Sequence, residues 1–229
     1  MERAVRARPV SSSGLERERR PDVSWQVLDR AFYDRDPLEV ARDLLNKLLV
    51  RDGRAGRIVE VEGYRGEEDP ASHAFRGMTR RNEVMFGEPG LLYVYFTYGM
   101  HWCANVVCGP AGRARAVLLR AVDPVSGEDA MRAARLDAGG KVAGRRDIAR
   151  GPARLCQAFS IDGRDNGADL VEESRGIFIA DGGIPPPRRP GTSPRIGIRD
   201  ARDLQWRFFV EGDPCVSATP GQRHSRTTS

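Results

Sequence analysis

Two glutamates, Glu60 and Glu62, stand two positions apart in the segment Arg57–Glu62, which is rich in β-branched residues. A strand points alternate side chains to the same face, so both carboxylates share a face, joined by Tyr64 if the strand continues. A carboxylate held beside an aromatic ring suits a general base that activates water next to a stacked substrate. The commoner interpretation of such a strand, an acidic face turned to water, stays open at this point.

Aromatic residues gather in two segments, Leu91–Thr97 and His101–Cys108, which are joined only by Tyr98-Gly99-Met100. This link is too short for a parallel crossover and predicts an antiparallel hairpin. Tyr98 occupies a turn where small polar residues normally dominate. Tyr93 and Tyr95 share one face, which by itself is typical of ordinary sheet packing. With Tyr98 they fit a stacking surface and a wedge that pries DNA apart.

Three further polar residues stand out, and two of them, Asn105 and Arg120, allow two interpretations each. Asn105 lies in an otherwise apolar strand, where an amide without partners costs about 1–3 kcal/mol, so it serves either structure or base recognition. Arg120 follows the apolar run Ala116–Leu119 and either forms a buried ion pair or orients a carboxylate and a water. His73 alone is typical of a surface histidine.

The elements that must position these residues follow from periodicity and capping. Asp36-Pro37-Leu38-Glu39 predicts a helix start, followed by one apolar stripe of Leu38, Ala41, Leu45 and Leu48. A second helix is predicted near Ser126, with Asp129 three residues on, and a third from Gly151-Pro152 to Ala158. Strands are predicted at Arg57–Glu62, Leu91–Thr97, His101–Cys108, Arg115–Ala121, Gly176–Ala180 and Gln205–Val210. This order favours an α+β fold.

The chain of 229 residues fits one domain, predicted at 23–216, between polar tails at 1–22 and 217–229. The proline-rich stretch Gly182–Pro194 predicts a loop without regular structure. No apolar run is long enough for a membrane span, and no apolar leader is present, so we expect a cytoplasmic protein.

Composition points weakly to a polyanionic partner. The net charge is +5, and all but two of the 37 basic residues, Lys47 and Lys141, are arginines, whose planar fork matches phosphate. Four cysteines lack paired spacing and only three histidines are present, so we expect neither disulfides nor a metal.

Long ordered motifs, spread from Ala31 to Ser217, resemble those of the alkyladenine (3-methyladenine) DNA glycosylase family, which is unrelated to the helix-hairpin-helix glycosylases. The motifs are Arg57-Ile58-Val59-Glu60-Val61-Glu62-Gly63-Tyr64, Glu68-Asp69-Pro70-Ala71-Ser72-His73, Arg81-Asn82, Val84-Met85-Phe86-Gly87, Leu92-Tyr93-Val94-Tyr95, Tyr98-Gly99-Met100-His101-Trp102-Cys103, Asn105, Val117-Leu118-Leu119-Arg120-Ala121 and Gly151-Pro152-Ala153-Arg154-Leu155-Cys156-Gln157-Ala158.

The resemblance implies a role for each matching residue. Glu62 would be the general base, with Arg120 and a backbone carbonyl near Ile198 holding the water. Tyr64, His73 and Tyr95 would line the base pocket, with the His73 backbone amide donating to the base. Asn105 would clash with the amino group of guanine, and Tyr98 would fill the hole left in the duplex. The DNA backbone would be contacted by Thr79, Arg81, Met100 and Arg154.

The resemblance further implies one mixed domain around a curved antiparallel sheet, with peripheral helices and a protruding hairpin that enters the minor groove of double-stranded DNA. The family needs no cofactor, and we expect a monomer without an obligate protein partner. The expected reaction is hydrolysis of the N-glycosidic bond of a damaged purine. A lyase step would need an amine, and Lys47 is predicted on the first helix and Lys141 in a glycine-rich loop, away from Glu62.

Two departures from the family pattern bear on DNA affinity. The run Met78-Thr79-Arg80-Arg81-Asn82 replaces a usual Arg-Thr-Pro-Arg-Asn, and Arg199-Asp200 stands where a small residue is common. Two other functions stay open, a hydrolase of free nucleosides and a non-catalytic module that binds damaged DNA. Neither the order of preference among damaged purines nor the role of Glu60 follows from the sequence.

Overall fold

The structure, a computed structural model, describes residues 25–218. The predicted tail 1–22 and most of the predicted tail 217–229 lie outside this range. The four α-helices are α1 (Arg30–Tyr33), α2 (Pro37–Leu44), α3 (Glu128–Asp137) and α4 (Pro152–Ala158). The strands are β1 (Gln26–Val27), β2 (Leu48–Arg51), β3 (Arg54–Tyr64), β4 (Leu91–Thr97), β5 (His101–Val107), β6 (Ala116–Ser126), β7 (Ala168–Asp169), β8 (Ile177–Asp181), β9 (Gly191–Ser193) and β10 (Arg207–Phe209).

These ten strands form one antiparallel sheet that is strongly curled. Its order is β1-β8-β2-β3-β6-β5-β4-β7, and β10 pairs with both β3 and β9. Helix α2 packs on β3 and β6, while α4 packs on β5, β6 and α3. The arrangement confirms the predicted fold class, a single α+β domain around a curved antiparallel sheet with peripheral helices and a hairpin.

Strand β3 is the centre of the sheet because it pairs with β2, β6 and β10. Its pairing with β6 shifts register on either side of Glu60, so that Val59 and Arg120 have no direct partner in the ladder. Such bulges bend a strand and increase its twist, which curls the sheet here. On the opposite face of β3, a side chain at Gly63 would come within 2.6 Å of Leu38 Cδ2, so glycine lets α2 pack closely.

Most predicted elements are confirmed within a few residues. β3 extends through Tyr64, and β4, β5, β8 and α4 lie close to their predicted ranges. β6 runs on to Ser126, whereas β10 is shorter than predicted. The predicted hairpin is also confirmed, since Thr97 pairs with His101 across the turn.

The helix predicted near Ser126 is confirmed as α3, which begins at Glu128 after Gly127 in the left-handed region. Two predictions about elements are wrong. Helix α2 ends at Leu44 because Asn46 turns the chain with a φ of 70°, and Leu48 belongs to β2. The loop predicted at Gly182–Pro194 contains β9, which is held in place by pairing with β10.

Candidate active site

The concave face of the sheet carries a cavity of about 540 Å³, within the usual range of ligand pockets. Strand register explains which side chains face it. Glu62 pairs with Leu118, Leu118 with Asn105, and Asn105 with Tyr93, so one row crosses β3, β6, β5 and β4. Paired residues point to the same face of a sheet. The row therefore brings four distant segments of the sequence to one surface.

Glu62 lies directly behind the wall of this cavity. Its side chain is fully buried, and two hydrogen bonds and one ion pair hold the carboxylate. The Tyr64 hydroxyl donates to Oε2 at 2.9 Å, the Ile196 backbone N–H donates to Oε1 at 2.7 Å, and Arg120 Nη1 lies 3.1 Å from Oε1. Tyr64, Arg120 and Ile196 all line the cavity. The predicted alternative, an acidic face in water, is therefore wrong for this strand.

Glu60, on the same face of β3, is also fully buried and engages two arginines. Its Oε1 accepts from Arg120 Nε at 2.7 Å and from Arg207 Nε at 2.8 Å. Ser217 donates its backbone N–H to Oε2 at 2.6 Å and its hydroxyl to Oε1 at 2.7 Å. Burial alone raises the pKa of Glu60, but the charges of Arg120 and Arg207 outweigh it and hold the pKa below its usual value. Glu60 is thus a permanently ionised partner of Arg120.

Aromatic side chains make up one side of the cavity. The rings of Tyr93 and Tyr95 stack at 5.5 Å, and His73 meets Tyr95 edge to face at 4.4 Å. Burial raises the pKa of Tyr93 to about 12 and also raises that of Tyr95, so both hydroxyls stay neutral. Burial, with a smaller contribution from the charge of Arg81, lowers the pKa of His73 below 6.5. At neutral pH this wall is therefore uncharged and apolar.

On the other side, Tyr64 stacks against Arg195, whose guanidinium carbon lies 4.5 Å from the ring centroid. Burial and the neighbouring Glu62 carboxylate raise the pKa of Tyr64 well above its usual value. Tyr64 therefore keeps its proton and serves as a donor to Glu62.

Asn105 sits deep in the cavity and is 5% exposed. Its amide nitrogen donates to the Tyr93 carbonyl at 3.2 Å, across the β4–β5 pair. Because Asn105 lines the cavity, its side chain can contact a bound molecule there. Ile198, the last predicted pocket residue, also lines the cavity, on the segment that supplies the Ile196 N–H.

The turn of the hairpin stands at the mouth of the cavity. Tyr98 is 77% exposed, lines the cavity, and donates from its hydroxyl to the Gly197 carbonyl at 3.4 Å. Tyr98 and Gly99 both have positive φ, at 51° and 65°. A bulky residue rarely adopts this conformation, which costs about 1–2 kcal/mol, and such strain clusters at functional sites.

The four residues expected along the DNA backbone are not among those that line the cavity. Thr79 lines a second, adjacent cavity, and its N–H and hydroxyl both donate to Asn82. Arg81 Nη2 donates to the Phe96 carbonyl at 2.8 Å, and Met100 is 65% exposed on the hairpin turn. Arg154 directly follows Ala153, which lines the cavity, and Arg154 Nη1 lies 3.3 Å from Asp147 Oδ1.

Sequence reasoning placed Ile198 near Glu62 but missed the Ile196 N–H and the ion pair that holds this segment in place. Asp69 and Arg195, both fully buried, form a bidentate ion pair, and Arg195 also donates to the Gly63 carbonyl at 3.0 Å. This pair fixes the chain next to Ile196. Asp69 lies in one of the motifs quoted above. Its pairing with Arg195 could have been inferred only from the general rule that a buried charge needs a partner of opposite charge.

Within residues 25–218, no helix combines the length and the apolar character needed to cross a membrane. In the same part of the chain, no three histidine, cysteine, aspartate or glutamate side chains come together as a metal site would require. All four cysteines lie in this range, and each is buried and free.

Comparison with known proteins gives consistent matches over nearly the whole described range. A family model described as methylpurine-DNA glycosylase matches residues 31–214. Three similar proteins are each named "Putative 3-methyladenine DNA glycosylase". The protein of Burkholderia lata is 54% identical over 89% of this chain and 98% of its own. That of Carboxydothermus hydrogenoformans is 48% identical over 83% and 98%, and that of Streptomyces avermitilis 45% over 86% and 96%.

Proposed function

Because the chain belongs to the methylpurine-DNA glycosylase family, we propose that it is a monofunctional enzyme that extrudes an alkylated purine and hydrolyses its N-glycosidic bond. As a family member it is a DNA repair hydrolase that binds DNA. The substrate class of the proposal is 3-methyladenine and related damaged purines, with hypoxanthine and ethenoadenine as further candidates. Its place of action is chromosomal DNA in the cytoplasm.

The observation that carries this proposal is the fully buried Glu62 carboxylate, held by Arg120, Tyr64 and Ile196 beside a cavity large enough for a purine nucleotide. Glu62 acts as the base that takes a proton from the attacking water. A positioned base contributes about 10²–10⁴ in rate, and its charge stabilises the oxocarbenium-like sugar of the transition state. An alkylated purine is cationic and leaves as a neutral base, which makes it a good leaving group.

Arg120 and the backbone near Ile198 would complete the water site. Glu62 has no exposed surface, so one of the groups around its carboxylate would move when the water enters. The Tyr64 hydroxyl is an uncharged donor on a side chain that lines the cavity, and its bond to the carboxylate costs less to break than the Arg120 ion pair, in which both partners are charged. Entry of the nucleotide would therefore displace the Tyr64 hydroxyl from Glu62 Oε2.

The extruded base stacks among Tyr64, His73 and Tyr95. Base flipping costs a few kcal/mol, and least for a damaged base, while each aromatic partner returns about 1–3 kcal/mol. The backbone N–H of His73 donates to the base. Asn105 meets the position where guanine carries its amino group and so excludes undamaged guanine.

Tyr98 fills the hole left in the duplex, with the hairpin in the minor groove. An exposed ring at a strained turn beside the cavity mouth suits insertion between base pairs. Thr79, Arg81, Met100 and Arg154 then follow the DNA backbone on either side. The protein works as a monomer without cofactor.

The reaction stops at an abasic site because no lysine lies near Glu62 among the described residues. The prediction that Lys47 lies on the helix that starts at Pro37 is wrong. Lys47 follows the end of this helix, α2, and its Nζ pairs with Asp181 at 2.6 Å. Lys141 lies in the loop that follows α3. A Schiff base with the sugar would need an amine at the cavity.

The test uses duplexes that each carry one defined lesion, followed by alkaline cleavage to reveal abasic sites. Wild type should release 3-methyladenine, and Glu62→Gln should lose excision by about 10²–10⁴-fold while it still binds the same duplex. Strand cleavage without alkali would disprove the hydrolysis-only assignment. Activity on free inosine would favour a nucleoside hydrolase, and damage binding by a wild-type protein without excision would favour a non-catalytic module.

A further inference from the structure

The structure contains a second carboxylate that the proposed reaction does not use. Glu60 contacts Arg120 through Nε, whereas Glu62 contacts the same guanidinium through Nη1. The two carboxylates thus hold different edges of one planar group. A guanidinium held on two edges cannot rotate without breaking a charge-assisted hydrogen bond.

We propose that Glu60 is a positioning residue that acts through Arg120 to set both the orientation of Glu62 and the charge around it. This inference rests on the proposed role of Glu62 as the base. Glu60 itself does not line the cavity, and it reaches the cavity wall only through Arg120.

The charge near Glu62 depends on how Arg120 is shared. Arg120 contacts both Glu60 and Glu62, and Arg207 contacts Glu60. Removal of the Glu60 charge would leave Arg120 paired with the carboxylate of Glu62 alone. The loss of this nearby negative charge would make it harder for Glu62 to bind a proton, and Glu62 would become a weaker base.

Contacts of Glu60 reach Ser217, near the end of the described residues. Ser217 gives Glu60 two hydrogen bonds, and its carbonyl accepts from Arg207 Nη2 at 2.8 Å. Arg207 also donates to Ser193 on β9 at 2.9 Å. Glu60 therefore joins β6, β10 and the segment after β10 directly behind Glu62. Ser217, predicted to begin the tail, is part of this support.

Burial raises the pKa of Tyr64 on β3, of Tyr95 on β4 and of Cys103 on β5, so these groups stay neutral in an assay between about pH 5 and 9. Arg195, stacked on Tyr64, is paired with Asp69. His73 also lines the cavity, and because burial lowers its pKa it takes up a proton only at the acid end of this range. His73 is the same in every variant compared, so a difference in the acid limb between Glu60→Gln and Glu60→Asp reports the field at Glu62.

The experiment compares Glu60→Gln and Glu60→Asp with wild type in single-turnover excision of 3-methyladenine across pH. We expect Glu60→Gln to lower the plateau rate about 10–100-fold, the range for groups that orient functional residues. Its acid limb should move to lower pH by about one unit or more. Glu60→Asp keeps the charge, so its limb should stay in place and its rate should be intermediate. Affinity for the lesion duplex should remain within about twofold.

Asp165→Asn provides the matched control, because Asp165 is a buried carboxylate paired with Arg51 at 2.9 Å and lies outside the cavity wall. It should lose a comparable amount of stability without a change in rate or pH profile. A wild-type rate for Glu60→Gln would overturn the inference, as would a lowered plateau with an unmoved limb. If Glu62→Gln retains excision, the proposed function itself fails, which separates the two outcomes.

Discussion

Replacement of Asp69 by asparagine tests whether a buried ion pair holds the segment that covers Glu62. The substitution keeps the shape of the side chain, and its oxygen can still accept from the Ala71 N–H, now bonded at 3.0 Å. It leaves the guanidinium of Arg195 without a negative partner at a position with no exposure. Removal of one partner from a buried ion pair costs about 3–5 kcal/mol of folding free energy.

Equilibrium unfolding in urea measures this free energy, and for a domain of this size the melting temperature should fall by roughly 6–20 °C. The double variant Asp69→Asn/Arg195→Met removes both charges and should recover most of the loss, because an apolar replacement of a whole pair is often neutral. Excision should remain impaired in the double variant, because Ile196 would still lack its anchor beside Glu62.

A change below about 1 kcal/mol in Asp69→Asn would refute this reasoning, since it would mean that water or a rearrangement neutralises Arg195. Full recovery of excision in the double variant would show that the segment positions Ile196 without the pair. Arg30→Met is the matched control, because its ion pair with Asp169, at 2.7 Å, is partly exposed and should contribute only about 0–1 kcal/mol.

Three further predictions concern the hairpin, the cavity floor and His73. Tyr98→Ala should weaken capture of the extruded base roughly 5–150-fold, the loss of one stacking partner, in a fluorescence assay of base flipping, while Tyr98→Phe should stay near wild type. If Tyr98→Ala extrudes the damaged base as well as wild type does, Tyr98 is not the residue that fills the hole in the duplex. Asn105→Ser or Asn105→Ala should raise the release of guanine from undamaged DNA, and an unchanged ratio of guanine to 3-methyladenine release would refute the gatekeeper role. Because burial lowers the pKa of His73 below 6.5, the unfolded chain binds the proton first, so stability is lost as pH falls below about 6.5. When the pH is lowered from 7.5 to 5.5, the free energy of unfolding should fall less in His73→Gln than in wild type. An identical fall in the two proteins would contradict this explanation.

Local patterns were sufficient for the parts of the site that lie close together in the chain. Alternation along β3 placed Glu60, Glu62 and Tyr64 on one face, because side-chain direction in a strand repeats every two residues. The short link at Tyr98 required an antiparallel hairpin for steric reasons. Local patterns failed at Leu48, where pairing of β2 with β3 and β8 prevailed over an apolar stripe that would have continued the helix.

What the sequence by itself determined, therefore, is the family, the fold class and the strand that presents the two carboxylates. The tertiary structure alone decided which groups surround them. Ile196 donates to Glu62 from 134 positions away, and Ser217 reaches Glu60 from 157. Contacts at such separations depend on how strands pair and bend, including the bulge that turns Arg120 between the two glutamates. The packing of the whole sheet sets that geometry, and the pattern of apolar residues within a single segment does not predict it.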